Sequence, residues 1–528
     1  MRFVESKYPL DFTADKCHET IYKYAVYYFT HVRPSFSLSG LSLASVPYFR
    51  MPCCLSFLPA FLWLLLGATA NAKLSDSWMN KPTFRPVFTR RPFIIAWNAP
   101  TQDCPPRFNV HLDLKLFDLN ASPNEGFVDQ NLTIFYKERL GMYPYYDEHG
   151  APVSGGLPQN ASLRAHLDKL PDGIQKYIRS RDKDGLAVID WEEWRPIWVR
   201  NWQNKNVYRN NSRNLVASRH PSWPREQVEK EALYDFENAA REFMMETLRH
   251  AKNYRPRQLW GFYLFPDCYN HDYNKNRDSY TGHCPDVEIS RNDQLSWLWE
   301  ESTALYPSIY LDQILASSEN GRKFVRSRVR EAMRISYRHH KDYSLPVFVY
   351  TRPTYIRKLD FLSQMDLIST IGESAAQGAA GVIFWGDAEY TKSKETCQMI
   401  KRYLEEDLGR YIVNVTTATE LCSQSLCNGN GRCLRQDNIT DAFLHLNSAN
   451  FQIVSAPKDS QGPSLRAEGK LSAEDIAVLR SQFRCQCYVD WYGDSCGIQR
   501  RTNGGAVATG PCGIVLLVSL VALIFTLL

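Results

Sequence analysis

Two carboxylates stand two positions apart in the stretch Leu186-Ala-Val-Ile-Asp190-Trp191-Glu192. In an extended chain such positions share a face, so Asp190 and Glu192 project together where the apolar run ends. Acids held that close cannot both ionise cheaply, and one keeps its proton to higher pH. A carboxylic acid beside a carboxylate is the combination that glycoside hydrolysis needs, the acid to protonate a leaving oxygen. A solvated strand end or a pair of metal ligands would be spelled the same way, so the doublet needs support from its surroundings. Trp191, Trp194, Trp198 and Trp202 provide some, because aromatic faces are platforms for sugar rings, although indoles also fill cores. Glu193 faces the other side of the strand and is read as structural. No His, Asp and Glu cluster has the spacing of metal ligands, and His339 and His340, adjacent on a helix, cannot both face one ion comfortably. Neither a metal nor a cofactor is expected.

Such a pair needs a rigid support. Short β-branched and aromatic runs at Phe93–Trp97, Leu132–Tyr136, Leu186–Asp190, Leu259–Phe265, Ser308–Leu311, Val347–Tyr350 and Gly381–Trp385 alternate with longer amphipathic segments. The clearest helix is expected from Arg225 to Ala251, with Val228, Ala232, Phe236, Ala239, Phe243 and Thr247 on one stripe. Strands apolar on both faces and separated by helices predict a parallel α/β fold. Ligand sites of such folds gather at the C-terminal strand ends, where Asp190 and Glu192 fall. Periodicity does not separate a closed barrel from an open doubly wound sheet. The lack of a Gly-rich dinucleotide fingerprint after the first strand argues against the second.

With 528 residues, 44% hydrophobic and 23% charged, the chain is globular, with room for two or three domains, and is neither disordered nor a polytopic membrane protein. A net charge of +5 without a Lys/Arg block gives no reason to expect a nucleic-acid partner. Residues 1–72 read as an N-terminal extension followed by a signal peptide. Its hydrophobic region is Leu55–Ala70, its cleavage-like triplet ends at Ala72, and Met51 is the expected working start. Cys512 to Leu528 is apolar and uncharged and follows the small residues Asn503, Gly504 and Gly505. That pattern predicts a glycosylphosphatidylinositol (GPI) attachment signal over 503–528, with Asn503 or Gly504 as the attachment point and the outer cell surface as the location. Of 14 cysteines, Cys17, Cys53, Cys54 and Cys512 lie in these end segments, and the remaining ten are expected to form disulfides outside the cytosol. Sequons at Asn131, Asn160, Asn210, Asn414 and Asn438 fit a glycan-bearing surface. A large α/β domain is expected over 73–415 and a small disulfide-rich module over 416–500. In the module Cys422, Cys427, Cys433, Cys485, Cys487 and Cys496 crowd among turn residues. Their spacing resembles an EGF-like domain carrying an insertion of the 51 residues from Leu434 to Arg484. That resemblance implies the pairs Cys422–Cys433, Cys427–Cys485 and Cys487–Cys496, which spacing alone leaves among 15 possibilities.

The runs AVIDWEEWRP, LWGFYLFPDCYNHDY, NDQLSWLW, ALYPSIY, IGESAAQGAAGVIFWG and LCSQSLCNGNGRC together resemble the vertebrate hyaluronidases, glycoside hydrolase family 56. The TRPTY segment and the apolar tail resemble its lipid-anchored branch. The resemblance implies a distorted (β/α) TIM-like barrel followed by the EGF-like module. It also implies an endo-β-N-acetylhexosaminidase that cuts β-1,4 linkages of hyaluronan with retention, the substrate's own acetamide acting as nucleophile. Glu192 matches the general acid/base and Asp190 the partner that orients the acetamide. Tyr263 and Tyr310 match tyrosines of the cleft, Trp385 an aromatic wall, and Arg328 an arginine implicated in binding uronic carboxylates. Cys104–Cys397 and Cys268–Cys284 are the bridges implied for the barrel. Without the resemblance these aromatics would be read as core and Arg328 as a solvated helix residue. The expected partners are hyaluronan, with chondroitin as its rival, and the membrane through the anchor. The same branch implies viral envelope proteins as partners, which makes a slowly turning hyaluronan receptor the alternative function, and an endosomal or lysosomal pool a second location. An acidic pH optimum is expected because Glu192 must carry the proton.

Overall fold

The computed structural model describes residues 81–88, 91–123, 130–457 and 462–500. The expected signal region and the attachment signal with Asn503 and Gly504 lie outside the described residues.

Seven short strands carry the main body: β1 (Ile94–Asn98), β2 (Leu119–Ala121), β3 (Leu132–Tyr136), β4 (Gly185–Asp190), β5 (Gln258–Phe262), β6 (Phe348–Thr351) and β7 (Gly381–Trp385). They pair in parallel as two arcs, β2-β1-β7-β6 and β3-β4-β5. Residues 304–310 join the arcs through isolated parallel bridges, Tyr263 to Tyr306, Leu305 to Val347 and Ser308 to Tyr350. The expected strand Ser308–Leu311 is therefore corrected to single bridges, and Pro307, without an N–H to donate, accounts for the broken ladder. β2 was not anticipated, since three residues are too few to show a period. No ladder pairs β2 with β3 among the described residues, so the hydrogen-bonded ring is not closed there.

Side chains alternate between two cores, as the pleat demands. Leu186 and Val188 of β4 join Ile94, Ala96, Ile134, Tyr306 and Ile383 inside the ring, whereas Ala187 and Ile189 join Trp97, Phe135 and Phe384 beneath the helices. That outer layer is covered by α1 (Leu163–Tyr177), α2 (Asn206–Arg219), α3 (Arg225–Tyr254), α4 (Asp286–Gln294), α5 (Glu319–Arg338) and α6 (Lys394–Glu405). On α3 the buried stripe runs Val228, Ala232, Phe236, Ala240, Phe243 and Thr247. Ala240 replaces the expected Ala239, because three steps of four residues lean the stripe only slightly across a 3.6-residue turn. Phe236 is fully buried, and its truncation to Ala would cost about 3–5 kcal/mol.

α7 (Asp407–Cys427) runs unbroken through residue 416, so the domain boundary expected there falls inside a helix. Cys422 and Cys427 sit near its C-terminal end and are bonded to Cys433 and Cys485. β8 (Gly431–Arg435) pairs antiparallel with a strand at Phe483–Cys487, and Cys487 is bonded to Cys496. The residues between them form the hairpin β9 (Phe451–Ser455) and β10 (Leu465–Gly469), then α8 (Ala473–Gln482), after which the Phe483–Cys487 strand is β11. Two further bridges, Cys104–Cys397 and Cys268–Cys284, tie loops of the main body. The disulfide-rich region lies against the N-terminal ends of the strands. Arg432 donates to the carbonyl of Gly378, just before β7, at 3.1 Å, and Gln486 to Ser344, just before β6, at 2.8 Å. Beneath β7, Glu373 is buried in an ion cluster with Arg326 and Arg435.

Candidate active site

Asp190 occupies the next inward place on β4 after Leu186 and Val188, at the C-terminal end of the strand. Its register partner on β3 is Tyr136. Tyr263 follows β5, Tyr310 ends the joining segment and Trp385 ends β7. Together with Glu192, Ile134, Val188 and Tyr350, the residues Asp190, Tyr263, Tyr310 and Trp385 line one cavity of about 100 Å³. The fold thus brings five of the expected site residues together from four separate stretches of chain. The Trp385 and Tyr310 rings stack 6.2 Å apart at 20°. Trp385 donates its indole N–H to the Tyr136 hydroxyl at 3.4 Å, and Tyr263 donates to Ser308 at 3.3 Å. Behind the stack, the Arg352 guanidinium lies 5.1 Å from the Trp385 ring and donates to Asp387 at 2.7 Å.

Burial pushes the Asp190 carboxyl up to about 8; the negative charges of Glu192 and Glu193 add to this, and Arg195 opposes it. Its Oδ1 is sealed from solvent without a hydrogen-bond partner in the protein. Glu192 is different. Its side chain is 50% exposed and accepts from Arg195 at 3.1 Å, while the Lys205 ammonium donates to its main-chain carbonyl. Burial therefore favours a protonated Asp190 in the unliganded pocket at neutral pH. Spacing alone could not tell which member of the couple would be buried. Burial also pushes the Tyr136 hydroxyl up to about 12, with the indole N–H of Trp385 opposing it, so the phenol stays protonated.

Trp191, Trp194 and Trp198 are buried, and the expectation that they offer platforms for sugars is corrected for these three. Trp191 points outward from the ring, stacking on Tyr143 at 4.4 Å. Trp194 lies 5.2 Å from the same ring, and Trp198 meets Phe236 edge-on. Only Trp202 keeps an exposed face, at 37%. Glu193 pairs with Lys137 at 2.9 Å. Arg328 lies apart from the acid pocket, buried on α5, where it donates to the Ser308 carbonyl at 2.6 Å and to Asp267 at 2.8 Å. It lines a neighbouring cleft with Arg195, Arg200 and Lys205. Burial alone would raise the Asp267 carboxyl, but Arg328 and Arg200 more than offset that and hold it below its ordinary value. Of the sequons, Asn131, Asn160 and Asn210 are exposed and Asn414 and Asn438 are half-buried. Sequence reasoning overlooked Tyr136, Tyr350, Arg195 and Arg352. The available signal for Tyr136 was that it ends a strand, as Tyr263 nearly does.

An acid couple at the C-terminal strand ends, walled by tyrosine and tryptophan, suits a sugar. Comparison with known proteins decides the family, since the hyaluronidase family, glycoside hydrolase family 56, matches residues 82–500. The chain belongs to the hyaluronidases. It is accordingly a glycoside hydrolase. Hyaluronidase-2 of Mus musculus is 59% identical over 426 residues, which cover 81% of this chain and 89% of the relative. Hyaluronidase-2 of Homo sapiens is 57% identical over 457 residues, covering 86% and 96%. The crystal structure of bee venom hyaluronidase in complex with a hyaluronic acid tetramer is 32% identical, with a TM-score of 0.52, over 61% of this chain and 98% of that one. Within the hyaluronidases, the chain is most like the vertebrate hyaluronidase-2 group.

Proposed function

We propose that this hyaluronidase cuts hyaluronan internally at its β-1,4 linkages by a retaining, substrate-assisted route. The observation that carries the reading is the buried, unpartnered Asp190 carboxyl, pushed up to about 8, beside half-exposed Glu192 and under a wall of Tyr310 and Trp385. Among the described residues, the pocket contains no carboxylate beyond these two, and both come from one strand end. Neither is placed to attack the far side of a sugar ring, so the nucleophile is the acetamide of the bound N-acetylglucosamine. A sugar in the pocket covers Glu192, strips it of water and draws the stored proton onto it, which leaves Asp190 a carboxylate that accepts from the acetamide N–H. The acetamide carbonyl oxygen then forms a bond to the anomeric carbon as the glycosidic C–O bond breaks. Glu192 gives its proton to the departing oxygen, and Asp190 steadies the positive oxazolinium. Water attacks the anomeric carbon from the side the leaving group vacated, Glu192 takes its proton, and the ring opens with retained configuration. Tyr310 and Trp385 hold the acetamide in line for attack, and Arg328, through Asp267, sets the charge of the flanking cleft where uronic acids would lie.

The remaining features of the reading are an EGF-like character of the disulfide-rich region, supported by its three bridges, and a lipid anchor at Asn503 or Gly504, supported by the uncharged tail. A phosphatidylinositol-specific phospholipase that fails to release the protein from cells would remove the anchor from the account. The catalytic reading is tested by measuring new reducing ends from high-mass hyaluronan and from chondroitin, with Glu192→Gln as control. Release from hyaluronan by the parent alone is the expected result; binding without release would leave a receptor.

A further inference from the structure

A cleft of about 500 Å³ follows the seam between α5 and the disulfide-rich region, and it shares no residue with the acid pocket. Ile289, Met333 and Leu434 contribute apolar surface, and Arg330, Arg334, Arg435 and Arg484 line it against one carboxylate, Glu331. That carboxylate is already neutralised, since Arg334 donates to both of its oxygens at 2.7 and 2.8 Å. Arg435 is engaged by Glu373, yet its Nε is buried without an acceptor. Arg330 is exposed, and among the described residues no carboxylate lies within ion-pair distance of it. Arg334 is thus matched by Glu331 and Asp293 and Arg435 by Glu373, whereas Arg330 stays open to a ligand, in a cleft with enough room for one of ordinary size, about 300–1,000 Å³. Pyranose rings present C–H faces that suit Ile289 and Leu434, and their carboxylate or sulfate groups suit forked guanidinium donors.

We propose that this seam cleft is a second binding site, for a carboxylated or sulfated saccharide chain. It would hold polymer at the N-terminal side of the strand ring while the acid pocket works at the other. The site needs no turnover, so it is tested in the Glu192→Gln chain freed of N-glycans, because the sequon residue Asn438 also lines the cleft. The probes are a hyaluronan decasaccharide and a heparin-derived hexasaccharide, with maltohexaose and a glutamate decapeptide as controls. Either acidic saccharide is expected to shield His283 and Met333 from hydroxyl-radical labelling, and whichever does so distinguishes carboxylate from sulfate recognition. Arg330→Glu is expected to weaken that binding roughly five- to tenfold, and Arg330→Lys to recover most of it. Neither should move Tm, since Arg330 has no ion pair to lose. Shielding confined to the acid pocket, equal affinity for the glutamate peptide, or indifference to Arg330→Glu would each overturn the site. Failure of the hydrolytic reading would appear separately, as no new reducing ends from the parent chain.

Discussion

Beneath β7, Glu373 is completely buried, yet Arg326, Arg435 and Gln377 all donate to it. At the opposite strand ends, Asp190 has one oxygen sealed off with no donor and two further carboxylates as its strongest electrostatic neighbours. Burial is common to both, and the partners differ. A buried acid matched by guanidinium holds two elements together, whereas one left unmatched, like Asp190, is pushed toward its protonated form and becomes chemically available. Asp267 stands between these cases, close to the acid pocket but matched by Arg328 and Arg200. It orders the flank of the cleft.

The contrast is open to direct attack. Glu192→Gln is expected to lower hyaluronan hydrolysis by about 10³-fold, within the range for losing a general acid. Because the side chain is half-exposed, thermal unfolding should not shift; a variant that keeps its activity would remove Glu192 from the chemistry. Glu373→Gln should behave in the opposite way, costing about 3–5 kcal/mol of stability in denaturant titration because Arg435 is left buried without its counter-ion. The activity of the remaining folded molecules should be unchanged.

Asp190→Asn should combine the two behaviours, with hydrolysis falling roughly 10²-fold while stability rises. The sign follows from linkage. Asp190 titrates near 8 when folded and near 3.8 when unfolded, so above the lower value the unfolded chain ionises while the folded one does not. Each pH unit between them then costs up to about 1.4 kcal/mol of stability. The gain in Tm from Asn should grow as pH rises from 4 to 8 and vanish near pH 3, which calorimetry at several pH values would show. Within one pH unit of its onset, the effect on the parent's rate profile is smaller. Hydrolysis should decline about tenfold per pH unit above about 8, as Asp190 loses its proton, and a plateau extending to pH 10 would mean that the proton comes from elsewhere.

The doublet at 190 and 192 was legible because a strand preceding two acids has few other ways to arrange them. β4 and β7 were equally plain, being apolar on both faces. Residues 304–310 were not, since Pro307 breaks the ladder without altering the apolar pattern. Nor could composition tell that Trp191 and Trp194 face outward to Tyr143, because alternation assigns faces only once the inward face is known. Arg328 looked like a free cation because its acceptors, Ser308 and Asp267, are 20 and 61 residues away. Which acid retains the proton depends on the depth of each side chain, and spacing contains no information about depth.

Because α7 continues without a hinge into the cystine cluster, the last described residues stay on the side of the N-terminal strand ends, while the acid pocket lies at the opposite ends. Anything bound on that side would leave the mouth of the pocket clear for a long polymer to thread past.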